Sequence, residues 1–315
     1  MRKEELQKHL RSCGWSEKNI DRVLKSGRID FSLSLSEWRE TFVGTFLSDH
    51  PDLLHILNHA CKGLGMDIPT WEDITPQRLK TLKNYLSTVV SLNSARTYLA
   101  NVKATFSLNA EKIKADARSL SVATKAKKEP SQHIALTEAE LELIHRYQPR
   151  TQTEADVKRD FMIEAYCGAR NSDAKELTEA NIDETGEWLV YVSQKTLTKT
   201  TVPLHRNILG YIRQPKSKEH NRKVVIDTIQ RICFRVGITK KVELFVGGEL
   251  QNKPKYRFVG SHTARRSFAT QLAVRGVPIA MIAKFMGHAS PDMTMRYICM
   301  ETEHITPNVR KFFQG

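Results

Sequence analysis

Ser261-His262-Thr263-Ala264-Arg265-Arg266-Ser267-Phe268-Ala269-Thr270 decides how the second half of this chain is read. Ser261 can cap a helix here and Gly276 can end it. On that helix His262 and Arg265 stand three residues apart and share a face, so an imidazole and a guanidinium can approach one anion. His262 also falls at the positive helix N-terminus, a favourable place for a phosphate oxygen. Met286-Gly287-His288 follows, and Tyr297 stands nine residues after that histidine. Far upstream, Gly168-Ala169-Arg170-Asn171-Ser172-Asp173 supplies another arginine at a break between two helices, where a side chain can point into a cleft.

These residues together fit phosphodiester cleavage without a metal. That reaction needs an in-line nucleophile, positive donors on the non-bridging oxygens and an acid for the leaving oxygen. Arginine suits the second task, because its planar fork donates two parallel hydrogen bonds and stays charged. A tyrosine phenol suits the first. Taken singly, each residue has a simpler reading. Arg170 and Arg265 can be ion-paired or surface arginines, and His262 can merely stand near a helix start. His288 can be a packed histidine, and Tyr297 a core aromatic in the helix opened by Ser290-Pro291. A metal held by His262, His288 and His304 lacks a carboxylate or cysteine at ligand spacing, so no metal and no other cofactor is expected. Phe268, Leu272, Ile279, Ile282 and Phe285 read as core. Gly247-Gly248 reads as a turn, not a phosphate loop, since no G-K-[ST] follows.

In this order and spacing the motifs resemble the catalytic domain of the tyrosine recombinases, the phage-integrase family. Arg170 matches the first arginine of that pattern, His262-Thr263-Ala264-Arg265 matches H-x-x-R, and Gly287-His288 matches G-H before Tyr297. Lys195, in Gln194-Lys195-Thr196 ahead of Val202-Pro203-Leu204, matches the hairpin lysine, with Lys199 in the same turn as the alternative. Asp173 matches an acidic position that supports the first arginine. The resemblance implies that Tyr297 attacks the scissile phosphate to give a 3′-phosphotyrosyl bond, with Arg170 and Arg265 stabilising the transition state. It gives Lys195 the role of acid for the 5′ oxygen, His262 proton transfer, and His288 a hydrogen bond to the phosphate. It further implies duplex DNA with specific recombination sites as partner, a homo-tetramer on that DNA, and accessory DNA-bending proteins of host or element. Integration or excision of a phage or mobile element is the leading reading. Inversion, dimer resolution, a type IB topoisomerase and an inactive DNA-binding relative are the alternatives.

Composition agrees. The chain has 315 residues and a formal net charge of +14. An excess of Lys and Arg on that scale favours a polyanionic partner, since basic side chains displace condensed counterions from phosphates. The five cysteines are scattered, with no C-x-x-C pair. They indicate neither a zinc ribbon nor a disulfide framework and fit a reducing interior. No secretory leader and no run of about 18 apolar residues is visible. A cytoplasmic, nucleoid-associated protein of a prokaryotic or phage-infected cell is expected.

The periodicity predicts a mainly α chain with a small β-sheet. Residues 1–35 read as an N-terminal stretch that is either an extra DNA-arm contact or only a helical extension. Gly14-Trp15-Ser16 would separate its two helices. Residues 36–112 read as a helical, SAM-like core-binding domain, with Thr75-Pro76 and Ser94 opening helices. Residues 113–131 read as a basic linker. Lys112, Lys114, Arg118, Lys125, Lys127 and Lys128 in and beside it are candidate phosphate-backbone contacts. A mixed α+β catalytic domain over 132–315 opens at the capping box of Thr137 and Glu140. In it Trp188-Leu189-Val190-Tyr191-Val192-Ser193 is a strand, with Thr201-Val202-Pro203 as its partner across a turn. The tail with Val309-Arg310-Lys311-Phe312-Phe313 packs on its own domain or docks on a neighbouring subunit.

Overall fold

The computed structural model describes residues 1–113, 117–125 and 131–300. The chain is mainly helical, with two separate two-stranded sheets among the described residues. It forms two compact units, Met1–Ser131 together with Phe245–Glu249, and Gln132–Leu244 together with Leu250 onward. Among the described residues no helix is long and apolar enough to cross a membrane.

The first unit opens with α1 (Lys3–Ser12), α2 (Glu17–Leu24), α3 (Leu35–Arg39), α4 (Phe42–Asp49) and α5 (Leu54–Leu64). It continues with α6 (Pro76–Val89), α7 (Leu92–Leu108) and α8 (Ala117–Thr124). Thr75 caps α6 by accepting from the Arg78 amide, and Pro76 stands at its first turn. Leu79, Leu82 and Leu86 on the inner face of α6 are buried. α7 begins earlier than Ser94, because the Ser91 side chain accepts from the otherwise free Ser94 amide. Trp38, Phe42, Phe46, Leu57, Leu99 and Phe106 belong to one apolar cluster. Fully burying each such side chain contributes roughly 1.5–3 kcal/mol.

The structure bears on two expectations. Residues 1–35 are not set apart from the rest of the first unit: Leu6, Leu10, Trp15, Ile20 and Val23 enter the same cluster. The Trp15 indole also donates to the Leu47 carbonyl at 2.7 Å. Nor is the basic stretch a plain tether. Ile113 and Leu120 are buried in the cluster, and Thr124 in α8 is buried too. The apolar residues in that stretch are few and stand among lysines, which obscured them.

The second unit is built round α10 (Gln152–Cys167), packed by α9 (Glu138–Arg146), α11 (Asn171–Glu176), α12 (Leu209–Ile212), α13 (Arg222–Arg235) and α14 (Thr263–Val274). The capping box of Thr137 and Glu140 forms at the start of α9. β1 (Trp188–Val192) and β2 (Lys199–Pro203) pair antiparallel, with Trp188 opposite Pro203 and Val192 opposite Lys199. β3 (Lys241–Val246) and β4 (Glu249–Pro254) make a second hairpin that the sequence did not announce. β4 is too polar to show a period-2 pattern. α15 (Ile279–Phe285) and α16 (Pro291–Met295) complete the unit. Phe268 and Ile282 are buried, but Leu272 and Phe285, expected as core, instead help line an open cavity of about 350 Å³.

Candidate active site

The loop between α10 and α11 is fixed by Gly168, which ends α10 with a positive φ of 70°. A Cβ there would lie 2.4 Å from the Phe268 ring, so both backbone and space require glycine. Arg170 caps α11 as its preceding residue, half-buried. Its Nη1 donates to Ser193 Oγ at 2.8 Å, and Ser193 Oγ donates to Asp173 Oδ2 at 2.9 Å. The other oxygen of buried Asp173 accepts from the Gln194 amide at 2.9 Å. Asp173 therefore reaches Arg170 through Ser193, and at the same time pins the hairpin turn that carries Lys195. Lys195 is exposed in that turn. It is close enough to His262 for its charge to act on that imidazole. Lys199 opens β2.

α14 begins one residue later than a Ser261 cap requires. His262 itself holds the capping position, without a side-chain cap bond. Loss of solvent, then the charges of Arg266, Arg265, Arg222 and Lys195, hold the His262 imidazole below its ordinary value. One turn along, Arg265 is fully buried. Its Nη1 donates to the Gly168 carbonyl, and its Nη2 donates to the Met286 carbonyl at 2.5 Å and to His288 Nε2 at 2.8 Å. This one guanidinium joins the ends of α10, α14 and α15. His288 Nδ1 meets the Oγ1 of buried Thr294 at 2.9 Å. Burial, with Arg265 and Arg170 nearby, pushes the His288 imidazole down to about 4. The ring is thus neutral at pH 7, accepting at Nε2 and donating from Nδ1 to Thr294. Both nitrogens are engaged within the protein, so the donation to a phosphate implied for His288 is not available in this arrangement.

Tyr297 stands just past Arg296, the cap of α16, its amide donating to the Thr294 carbonyl at 2.8 Å. Its ring lies 6.2 Å from that of His262 and 5.1 Å from that of His288, centre to centre. The guanidinium carbons of Arg265 and Arg266 stand 5.6 and 5.7 Å from the ring centre. The chain past Tyr297 is held by Thr270, whose Oγ1 accepts from the Cys299 amide at 3.0 Å.

The fold thus gathers Arg170, Asp173, His262, Arg265, His288 and Tyr297, with Lys195 on the hairpin beside them. Among the described residues no group of three or more His, Cys, Asp or Glu side chains could hold a metal ion, and His304 lies outside them. Sequence reasoning missed Arg266, Ser193 and Thr294. Arg266 stood in the quoted stretch, but adjacent helical residues do not face the same way, so nothing marked it as a partner of Arg265. The basic-stretch candidates separate. Lys112 is paired with Glu40 and lies 5.8 Å over the Trp71 ring. Arg118 and Lys125 are exposed. Lys114, Lys127, Lys128 and the tail from residue 301, with its Phe312 and Phe313, lie outside the described residues.

Residues 135–304, over half of the chain, match the profile of the phage integrase family. The chain belongs to that family. A protein of Pseudomonas phage Pf1 named "Putative integrase" is 27% identical over 97 residues, a stretch spanning 29% of this chain and 29% of that protein. The integrase fold extends further than the profile. A lambda integrase dimer bound to a core site matches with a TM-score of 0.57 at 16% identity, over 89% of this chain and 93% of that one. The Tn1549 transposon integrase, in complex with transposon right-end DNA, matches with a TM-score of 0.57 at 13% identity, over 84% and 92%. A lambda integrase tetramer bound to a Holliday junction matches with a TM-score of 0.56 at 17% identity, over 88% and 80%.

Proposed function

We propose that this integrase-family chain is a site-specific DNA recombinase that cuts and rejoins DNA through a 3′-phosphotyrosyl intermediate. The observation that carries the reading is the surround of Tyr297: two imidazoles and two guanidiniums converge on one phenol, each within about 6 Å. A structural aromatic has no need of that company. The phenol oxygen attacks phosphorus and the bond to the 5′ oxygen breaks. Arg170 and Arg265 hold the non-bridging oxygens as charge builds there. His262, neutral because its imidazole is held low, takes the phenol proton. Lys195 protonates the departing 5′ oxygen. His288 acts one step back, orienting Arg265 from Nε2, with Thr294 fixing its tautomer. The covalent bond conserves the energy of the phosphodiester, so a second 5′ hydroxyl can rejoin the strand without a nucleotide cofactor.

The lambda and Tn1549 relatives are seen on DNA, one of them as a tetramer on a Holliday junction. By that analogy this chain works on duplex DNA as a tetramer at paired sites, in the cytoplasm of a prokaryotic or phage-infected cell. Its role there is to integrate a phage or mobile element. The exposed Arg118 and Lys125 contribute to backbone binding, and Lys112 serves the fold through Glu40. The test is an assay in EDTA with two labelled duplexes carrying whatever repeats are found in the DNA on either side of the gene. Exchange of flanking arms between them is the expected product. Relaxation of a supercoiled plasmid lacking those repeats, with no exchange, would instead indicate a topoisomerase.

A further inference from the structure

Glu164 lies on α10 one turn before Gly168 and is 3% exposed. Its Oε1 accepts from Asn171 Nδ2 at 2.8 Å, and its backbone carbonyl accepts from the Gly168 amide at 2.9 Å. Its Oε2 is fully buried and meets no hydrogen-bond partner among the described residues. The groups that face it are Asp160 and Cys167 on its own helix, Lys175 on α11 and Arg265 on α14. A cavity of about 10 Å³ beside it is lined by Asp160, Asn171, Lys175, His220 and Ser261 among others. That is close to the space one water needs.

We propose that Glu164 is a positioning residue for the two arginines that grip the phosphate, acting as a neutral carboxylic acid. This rests on the strand-cleavage reading of the site. As a neutral acid it accepts from Asn171, the residue next to Arg170, and so ties the Arg170 turn to α10. Its hydroxyl is free to donate toward the small cavity. As a carboxylate it would be a buried charge with one oxygen unmatched, which is costly unless a cation closes on it. Arg265 and Lys175 are the cations in reach, and Arg265 drawn toward α10 is lost to the phosphate. Burial, reinforced by Asp160, pushes the Glu164 carboxyl up to about 8, with Asn171, Arg265 and Lys175 opposing the shift. The acid form therefore prevails at neutral pH. Its positioning effect is complete below that value and is lost as pH rises through it.

The test measures the rate of covalent adduct formation on a nicked suicide duplex from pH 6 to 9.5, for wild type, Glu164→Gln and Glu164→Leu. Wild type should lose rate above pH 8, by about tenfold per unit. Glu164→Gln cannot ionise, so its rate at pH 9.5 relative to pH 7 should exceed the wild-type ratio by about tenfold or more. Glu164→Leu offers no acceptor to Asn171 and should lose about tenfold at pH 7 with DNA binding kept. A Glu164→Gln profile with the wild-type alkaline fall overturns the inference, and so does a wild-type rate that stays level to pH 9.5. Should Glu164→Leu not fold, the glutamine comparison decides alone. Adduct from wild type with no difference in Glu164→Gln overturns this inference only. No adduct from wild type at any pH overturns the strand-cleavage reading and this inference with it.

Discussion

Two helices of similar length, one in each unit, bury opposite chemistry. α7 buries Ala95, Leu99, Val102, Thr105 and Phe106. α10 buries Val157, Phe161, Met162 and Ile163, but also Glu154, Asp156, Lys158, Arg159, Asp160 and Glu164. Each of these is met by a side chain or carbonyl outside the helix, though Glu164 leaves its Oε2 unmatched. Glu154 accepts from Arg235 at 2.6 Å, and Asp156 meets His220 at 2.9 Å. Lys158 donates to the His145 and Tyr147 carbonyls, and Arg159 to the Leu177 carbonyl. Asp160 accepts from Ser217 at 2.6 Å. Apolar packing alone would hold a helix at less cost, since desolvating a charge takes several kcal/mol even when it is paired. What the charges provide is fixed geometry. They tie loops on several sides to one helix, and Gly168, which caps that helix, presents the carbonyl that holds Arg265.

Breaking the packing of α7 should give the largest effect. Phe106→Ala is expected to cost about 3–5 kcal/mol, read from denaturant unfolding of the full chain followed by tryptophan fluorescence. Trp15, Trp38 and Trp71, three of the four tryptophans, report on that unit. A loss under about 1 kcal/mol would mean that apolar packing does not hold α7 as described.

Substitutions at the other end of the comparison should strike chemistry first. Arg170→Lys and Arg265→Lys keep charge and lose the fork. Each is expected to slow cleavage by about two orders of magnitude, roughly 2.7 kcal/mol in the barrier. DNA affinity should change little, because one phosphate contact among many contributes a small share. Arg265→Lys should also soften the unit, because one ammonium nitrogen cannot occupy the two separate positions from which Nη1 and Nη2 reach the Gly168 and Met286 carbonyls and His288. Parallel loss of binding and cleavage in Arg170→Lys would make that arginine a docking contact, not a transition-state group.

The same contrast explains what could be read from sequence. The helices of the first unit were legible because their apolar residues recur at helical spacing, as Leu79, Leu82 and Leu86 do. The β1–β2 hairpin was legible from its aromatic and β-branched residues. Capping was less so. Ser94 stood for a helix start that Ser91 makes, and Ser261 for a cap that His262 occupies, because several polar residues in a row each qualify by type. The α8 helix was hidden by its lysine-rich flanks. In the site, motif spacing marked the residues that stand round Tyr297 but not the ones that orient them. Ser193 is an ordinary strand-end serine until Arg170 and Asp173 close on it. Thr294 carries no mark until the His288 ring turns toward it. Glu164 carried no mark, since nothing in a single sequence tells a buried glutamate from an exposed one.

The central claim is that Tyr297 is the nucleophile. The most direct measurement incubates the protein with a nicked suicide duplex, digests it and maps the DNA-linked peptide by mass spectrometry. The account predicts one adduct, a 3′-phosphodiester on Tyr297, absent in Tyr297→Phe while gel-shift binding persists. An adduct on another residue, or one that survives Tyr297→Phe, would contradict it.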